Sequence, residues 1–245
     1  MEPAEPFYAL EHHFAIDLPG ARAVFTTRRG GHSSGPYDSL NLGWLTDDDP
    51  RAVARNRAAL QEELEAPPLS FVHQVHGCEV RRITEATPPP RERPRVDGQA
   101  TDRPDVALAA LVADCLPIAL AAPGQVAMLH AGWRGLATGM IAAGVQAMRE
   151  LGSDGELSAA IGPGAGPCCY EVGEEVHEPF SAIAEAHHGR HLDLKAVARR
   201  QLREAGVTAI ADIGMCTICS DPSLLFSHRR DRGVTGRQAG VAWLT

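Results

Sequence analysis

Lysine is almost missing from this chain: among 245 residues only Lys195 carries an ammonium group, and it falls inside an expected helix. A phosphate loop of the Gly-Lys type therefore cannot be written, and a Schiff-base enzyme would have one unpromising nucleophile. A basic excess is missing as well. The 23 Lys and Arg residues are outnumbered by 31 Asp and Glu, giving a net charge of −8. That balance argues against a nonspecific polyanion binder, because surfaces that track nucleic-acid phosphates need surplus positive charge. Local arginine patches remain able to hold a small phosphate. No uninterrupted apolar run is long enough to cross a bilayer, and Met1-Glu2-Pro3-Ala4-Glu5-Pro6 has neither the basic segment nor the apolar stretch of a signal peptide. The expectation is a soluble cytoplasmic protein, a monomer or homodimer, with no nucleic acid and no membrane as partner.

Six cysteines are present, Cys78, Cys115, Cys168, Cys169, Cys216 and Cys219. Without an export signal such residues are more often buried thiols, ligands or nucleophiles than disulfides. Cys216-Thr217-Ile218-Cys219 has the spacing of half a zinc ribbon, but no second pair has that spacing and adjacent Cys168-Cys169 is not expected to supply it. Gly162-Pro163-Gly164-Ala165-Gly166-Pro167 fails as a dinucleotide fingerprint, since proline stands at the position of the final glycine. It reads instead as a tight loop lining a pocket.

Periodicity places the remaining elements. Ala21 to Thr27 is a β-branched strand running into a Gly-rich loop from Arg28 to Gly35. Asp49-Pro50 caps a helix carrying Val53, Leu60 and Leu64, which stops before Pro67-Pro68. Ser70 to Val75 and Glu79 to Thr84 read as strands around a His76-Gly77 turn, and Pro88-Pro89-Pro90 marks a surface loop. From Val106 to Leu120, and again from Gln125 to His130, the chain is nearly all apolar, as in strands covered on both faces. A helix is expected from Gly135 to Leu151, a strand from Leu157 to Ile161, and helices from Gly173 to about His187 and from Asp193 to Ala205. Short strands from Leu224 to Ser227 and from Ala239 to Leu244 complete a mixed pattern with no repeats and no clear linker. One domain is expected.

The chemistry gathers at two neighbouring apolar runs. Val112-Ala113-Asp114-Cys115-Leu116-Pro117 puts a thiol where proline interrupts a strand, and Met128-Leu129-His130-Ala131-Gly132-Trp133-Arg134-Gly135 closes a strand on an imidazole. Upstream, His73-Gln74-Val75-His76-Gly77 offers a third donor. His73 and His76 would face opposite sides of a strand, and His76 is preferred because Gly77 permits unusual backbone beside it. Thiolate plus imidazole suits zinc, and three protein ligands leave a fourth position for a water that the metal acidifies. Arg28, directly after a strand, is an anion-binding candidate. Arg57 on the early helix and Arg229-Arg230-Asp231 read by default as solvated charge.

Taken together, Phe25-Thr26-Thr27-Arg28 through Gly31, Leu40-Asn41-Leu42-Gly43, Gln74-Val75-His76-Gly77, Ala113-Asp114-Cys115-Leu116-Pro117 and His130-Ala131-Gly132-Trp133-Arg134-Gly135 resemble one family. The series continues in order through Gly166-Pro167-Cys168-Cys169-Tyr170-Glu171-Val172-Gly173, Cys216-Thr217, Phe226-Ser227 with Arg229-Arg230-Asp231, and Thr235-Gly236-Arg237. These motifs are similar to those of the YfiH-like proteins, labelled polyphenol oxidases or laccase-domain proteins and later described as purine nucleoside phosphorylases. The resemblance implies an α+β fold of layered mixed β-sheets flanked by helices, an α/β/β/α sandwich in a single domain over residues 21–245, with residues 1–20 as an N-terminal extension. It implies a zinc site of His76, Cys115 and His130, with copper as the other metal. It also implies phosphorolysis of adenosine, inosine, guanosine or S-methyl-5′-thioadenosine and hydrolytic deamination of adenosine, with purine nucleosides and phosphate as small-molecule partners. Trp44 and His228 depart from the family pattern and bear on which nucleoside fits.

On this reading water activated at the metal attacks the purine carbon bearing the amino group, with Asp114 or another nearby carboxylate as proton carrier beside His76, Cys115 and His130. Arg28, Asn41, Arg57 and Arg134 are the candidates for holding substrate or phosphate. Three other functions stay open. A copper-dependent polyphenol oxidase needs many paired histidines, and the chain has no His-x-His. A metal-free hydrolase would use Cys115 as nucleophile and His130 as base. A peptidoglycan-precursor editing factor would be a binding or quality-control protein rather than a nucleoside enzyme.

Overall fold

A computed structural model describes residues 3–85 and 93–245, so the Pro88-Pro89-Pro90 loop lies outside the described residues. The first half of the chain forms β1 (Tyr8–Ala9), β2 (His13–Leu18), β3 (Ala21–Thr26), α1 (Pro50–Glu63), β4 (Leu69–Ser70), β5 (Val80–Ile83), β6 (Gly98–Thr101), β7 (Ala107–Val112) and β8 (Leu116–Ala122). There follow β9 (Gln125–Ala131), α2 (Trp133–Thr138), α3 (Met140–Glu150), β10 (Ser158–Ile161), α4 (Glu174–His177), β11 (His187–His188), β12 (His191–Leu192), α5 (Leu194–Glu204), β13 (Ala209–Asp212) and β14 (Gln238–Leu244).

Two mixed six-stranded sheets result, in the orders β1-β2-β3-β14-β7-β4 and β13-β10-β8-β9-β6-β5. Most neighbours are antiparallel, with β4 on β7, β5 on β6 and β10 on β13 parallel. Residues 1–20 contribute β1 and β2 at one edge of the first sheet. Strand alternation explains the layering. Along β9, Val126 and Met128 face the first sheet while Ala127, Leu129 and Ala131 face α3 and α5. Along β7, Leu108 and Ala110 face inward while Ala107, Ala109 and Leu111 pack toward α1 and its Leu60. Both faces of these strands are therefore dry, which is why their sequences read as continuous apolar runs. The layer between the sheets is rich in alanine, and Gly240 lacks a side chain where a Cβ would sit 2.6 Å from Pro117. The molecule is the single-domain α+β sandwich expected, helix on sheet on sheet on helix.

Several local expectations change. The helix expected over residues 135–151 is cut at Gly139, whose φ of 98° ends α2 and starts α3. The helix expected from Gly173 to His187 survives only as α4, because Pro179 has no N–H to continue the ladder and the chain passes into 3₁₀ turns. Leu224 to Ser227 is not a strand. The strand expected from Ser70 to Val75 ends at Ser70, since the N–H groups of Val75, His76 and Gly77 are claimed by a carboxylate instead of a ladder. Pro117 does not interrupt β8; it occupies the strand's second position, opposite His130. The Asp49 cap holds as read, its side chain accepting from Arg51 N. So does the Asp193 cap of α5, which accepts from Lys195 N and Ala196 N. Among the described residues no helix is long and apolar enough to cross a membrane.

Candidate metal centre

The register of β8 on β9 pairs Pro117 with His130 and Leu116 with Ala131, which brings the turn before β8 to the end of β9. Cys115 therefore lies against Gly132, where a Cβ would sit 2.8 Å from its Sγ. Only glycine leaves the sulfur room. The preceding residue, Asp114, is held at φ 95°, a left-handed conformation that turns the chain sharply between β7 and β8. His76 arrives from the irregular segment after β4 and is itself left-handed, with φ 61°; the unusual backbone falls on the histidine and not on Gly77. The His76 and His130 rings meet edge to face with centroids 4.9 Å apart. One ligating atom from each of His76, Cys115 and His130 falls within 4.8 Å of the others, and His73 is not among them.

Asp97, at the start of β6 and only 1% exposed, organises this cluster. Its Oδ1 lies 2.8 Å from Nδ1 of His130 and accepts from His76 N at 2.9 Å, while Oδ2 accepts from Val75 N at 3.1 Å and Gly77 N at 2.8 Å. One carboxylate thus shapes the His76 loop and fixes the His130 ring with its other nitrogen turned toward Cys115. Burial would raise the Asp97 pKa, but these donors outweigh it and hold the carboxyl below its usual range. Burial likewise opposes charge on Cys115 and His130, yet each favours the charged form of the other. Cys115 is brought down to about 6 by His130 and His76, and His130 is pushed up to about 9 by Cys115 and Asp97. A sulfur and two imidazoles, oriented by a carboxylate behind one of them, could hold a metal ion as three ligands and leave a position open. Among the described residues no fourth His, Cys, Asp or Glu joins the cluster.

A cavity of about 430 Å³ opens over these side chains. Its walls carry Arg57, Arg93, Arg134, Arg229 and Arg237. Of these, Arg57, Arg134, Arg229 and Arg237 have no carboxylate within salt-bridge distance among the described residues. Arg57 stacks on Phe71 with 3.7 Å from guanidinium carbon to ring centre, and donates from Nε to the Leu42 carbonyl. Burial, aided by the charge of Arg93, lowers its pKa to about 9. The default reading of Arg57 as solvated is therefore wrong; Arg229 stays exposed as read, lying over Tyr170 at the cavity wall, whereas Arg230 in the same run is 17% exposed and donates to the carbonyls of Thr217 and Leu225. Arg134 stacks on Trp133 at the rim.

Other expected residues lie elsewhere or are spoken for. Arg28 is outside the cavity lining, bound to the carbonyls of Asp38 and Pro222 and stacked on Phe226. Asn41 is fully buried, its Oδ1 accepting from Gly43 N and Arg237 N and its Nδ2 donating to Thr46 and Asp48. It braces the backbone of a cavity arginine. Asp114 accepts from Thr217 Oγ1 and Ser227 Oγ on Oδ1 and from Arg229 N on Oδ2. The Gly162–Pro167 loop does not line the cavity; it packs behind Asp114, with Ala165 N donating to the Asp114 carbonyl. Trp44 and His228 both line it. Asp97, Arg93 and Arg237 were not singled out in the sequence. Arg237 sits in a motif, Thr235-Gly236-Arg237, and was the most findable of them.

A family model described as multi-copper polyphenol oxidoreductase laccase matches residues 22–245. The chain is 42% identical over 235 residues to a protein of Pseudomonas aeruginosa named purine nucleoside phosphorylase, covering 91% of this chain and 93% of the other. Among solved structures, YlmD from Geobacillus stearothermophilus aligns with a TM-score of 0.87 at 37% identity, over 97% of this chain and 98% of that one. YfiH from Bacillus licheniformis, a hypothetical protein, aligns with a TM-score of 0.91 at 32% identity, over 99% and 100% of the two chains.

The Cys115–His130 pairing sets a pH dependence for thiol reactivity. In chelator-treated protein, Cys115 should alkylate with iodoacetamide at a rate that rises with pH and is half-maximal near 6, because the thiolate is the nucleophile. Peptide mapping by mass spectrometry isolates this site from the other cysteines. A midpoint at the ordinary thiol value of about 8.5 would show that the imidazoles do not hold the thiolate.

Proposed function

Because this chain belongs to the multi-copper polyphenol oxidoreductase laccase family and is similar to proteins named purine nucleoside phosphorylase, we propose that it is a zinc-dependent purine nucleoside phosphorylase that also deaminates adenosine. Its substrates are adenosine, inosine, guanosine and S-methyl-5′-thioadenosine. One observation carries this reading: a cluster able to hold a metal and a wall of arginines, four of them without a carboxylate partner among the described residues, share a single cavity. The arginines suit a phosphate, and a cavity of about 430 Å³ falls within the range for small-molecule sites. Copper chemistry on phenols is served less well, since this cluster has a mere two imidazoles and one thiol where a multicopper centre needs many histidines.

Zinc, held by His76, Cys115 and His130, would supply a Lewis acid and an acidified water at the cavity floor. The protein's own groups account for the rest. In phosphorolysis the bond from C1′ of the sugar to the purine nitrogen breaks, the base takes the electron pair, and a phosphate oxygen bonds to C1′. Arg57 and Arg237 hold that phosphate, and an anion there restores the favourable charge balance that burial denies them. Trp44 presents an indole N–H that is buried with no partner among the described residues, a donor for a polar atom of the nucleoside. Tyr170 and Trp133 offer faces for a planar base. Asp114, with both oxygens engaged, acts as a positioning residue that fixes the Cys115 turn against Ser227 and Arg229, and not as a proton carrier.

The test is incubation of zinc-loaded protein with adenosine, with and without phosphate, and chromatographic separation of adenine, inosine and hypoxanthine. Adenine should form only with phosphate, and inosine in either case. Cys115→Ala should remove both products; undiminished turnover by that variant, free of zinc, would sink the reading. Replacing Arg57 by Ala should raise the KM for phosphate about tenfold, the loss of roughly one charge-assisted hydrogen bond. Deamination measured without phosphate should change by no more than about twofold. Equal losses in both reactions would remove the phosphate from Arg57.

A further inference from the structure

The sulfurs of Cys168, Cys169, Cys216 and Cys219 come within 4.8 Å of one another, although the first pair follows β10 and the second follows β13. Topology makes this meeting. β10 and β13 are parallel neighbours, so the loops at their ends leave the sheet side by side. Gly164 and Cys216 continue the pairing as an isolated bridge, with Gly164 N donating to Met215 O and Thr217 N to Gly164 O. The adjacency of Cys168 and Cys169, an argument against a ribbon on sequence spacing, does not keep them from the Cys216-Thr217-Ile218-Cys219 turn. Sγ of Cys168 lies 3.4 Å from that of Cys219 and 3.5 Å from that of Cys169.

We propose that these four cysteines form a second metal site, a structural zinc tetrathiolate that clamps the loop after β10 to the turn after β13. With Zn–S bonds of about 2.3 Å, tetrahedral sulfurs stand roughly 3.8 Å apart, and the observed spacing needs only small adjustments to reach that. Backbone donors converge on one of the four sulfurs. Sγ of Cys216 accepts the N–H of Gly166 at 3.3 Å, and the backbone N–H groups of Ile218 and Cys219 also point at it. Donors at the second and third residues after a Cys-x-x-Cys sulfur stabilise a ligand in its charged form, the role that hydrogen bonds around a metal play. Lys195, the chain's one lysine, is buried nearby with its charge felt at Cys216, and it donates to the Met215 carbonyl of the same turn. All six cysteines are free thiols, so no disulfide takes up the cluster.

The clamp has a reason to exist. Tyr170 follows Cys169 into the cavity wall, and Thr217 follows Cys216 to donate to Asp114 beside Cys115. Drawing the two loops together at the cysteines therefore sets the back of the metal centre without taking part in its chemistry. The proposal stands independently of the nucleoside reaction.

Metal counting tests it. Protein purified without chelator and dialysed against metal-free buffer should carry two zinc ions per chain by plasma mass spectrometry. Cys115→Ala should carry one, and Cys216→Ser combined with Cys219→Ser should carry one and lose thermal stability. Should that double variant not fold, cobalt loaded into Cys115→Ala provides the check: strong thiolate-to-metal charge-transfer absorption is expected from four sulfurs. One zinc in the wild-type chain that disappears in Cys115→Ala would overturn the proposal. So would cobalt-loaded Cys115→Ala without those bands, or a Cys168–Cys219 disulfide found by peptide mapping under non-reducing conditions.

Discussion

The reactive face of this molecule depends on one buried carboxylate. Asp97 accepts three backbone N–H groups from Val75, His76 and Gly77 and pairs with His130. A carboxylate taken out of water is costly unless nearly every lone pair finds a donor, and here the donors come from the two segments that must meet. Solvation of Asp97 and assembly of the site are the same event. The left-handed backbone at His76 would cost on the order of 1 kcal/mol or more by itself, and the Asp97 hydrogen bonds hold it there.

Electrostatics then divide the cavity. On its floor, Cys115 and His130 hold opposite charges against each other, and His76, Cys115 and His130 would hold a divalent cation only with the thiolate kept and the imidazole proton given up. On its walls, arginines stacked on Trp44, Phe71, Trp133 and Tyr170 keep their charge near aromatic faces. Asn41 and Asp114, both buried, spend their polar atoms bracing the backbone of Arg237 and Arg229. The proposed cation and anion sites thereby stand on separate, hydrogen-bonded backbone.

The layered fold was legible because its strands are dry on both faces: Val106 to Leu120 and Gln125 to His130 announce themselves as apolar runs. The caps at Asp49 and Asp193 were legible because they are local. What could not be read was set by distance in the chain. Asp97 is an unremarkable residue in a polar stretch until β6 lies beside β9. Arg230 looks like part of a solvated charge run until the carbonyls of Thr217 and Leu225 claim its guanidinium. The cysteine cluster joins positions that are ordinary apart and adjacent only through the pairing of β10 with β13. Helix period suggested an element through Gly173 to His187, and Pro179 together with packing overruled it.

Anomalous diffraction at the zinc edge, from crystals grown without added chelator, addresses the central claim most directly. The account requires a peak about 2.0 to 2.3 Å from Cys115 and from one nitrogen each of His76 and His130, with its remaining position facing Arg57 and Arg237. No peak there, or a peak whose last position is closed by a fourth protein side chain, would contradict it.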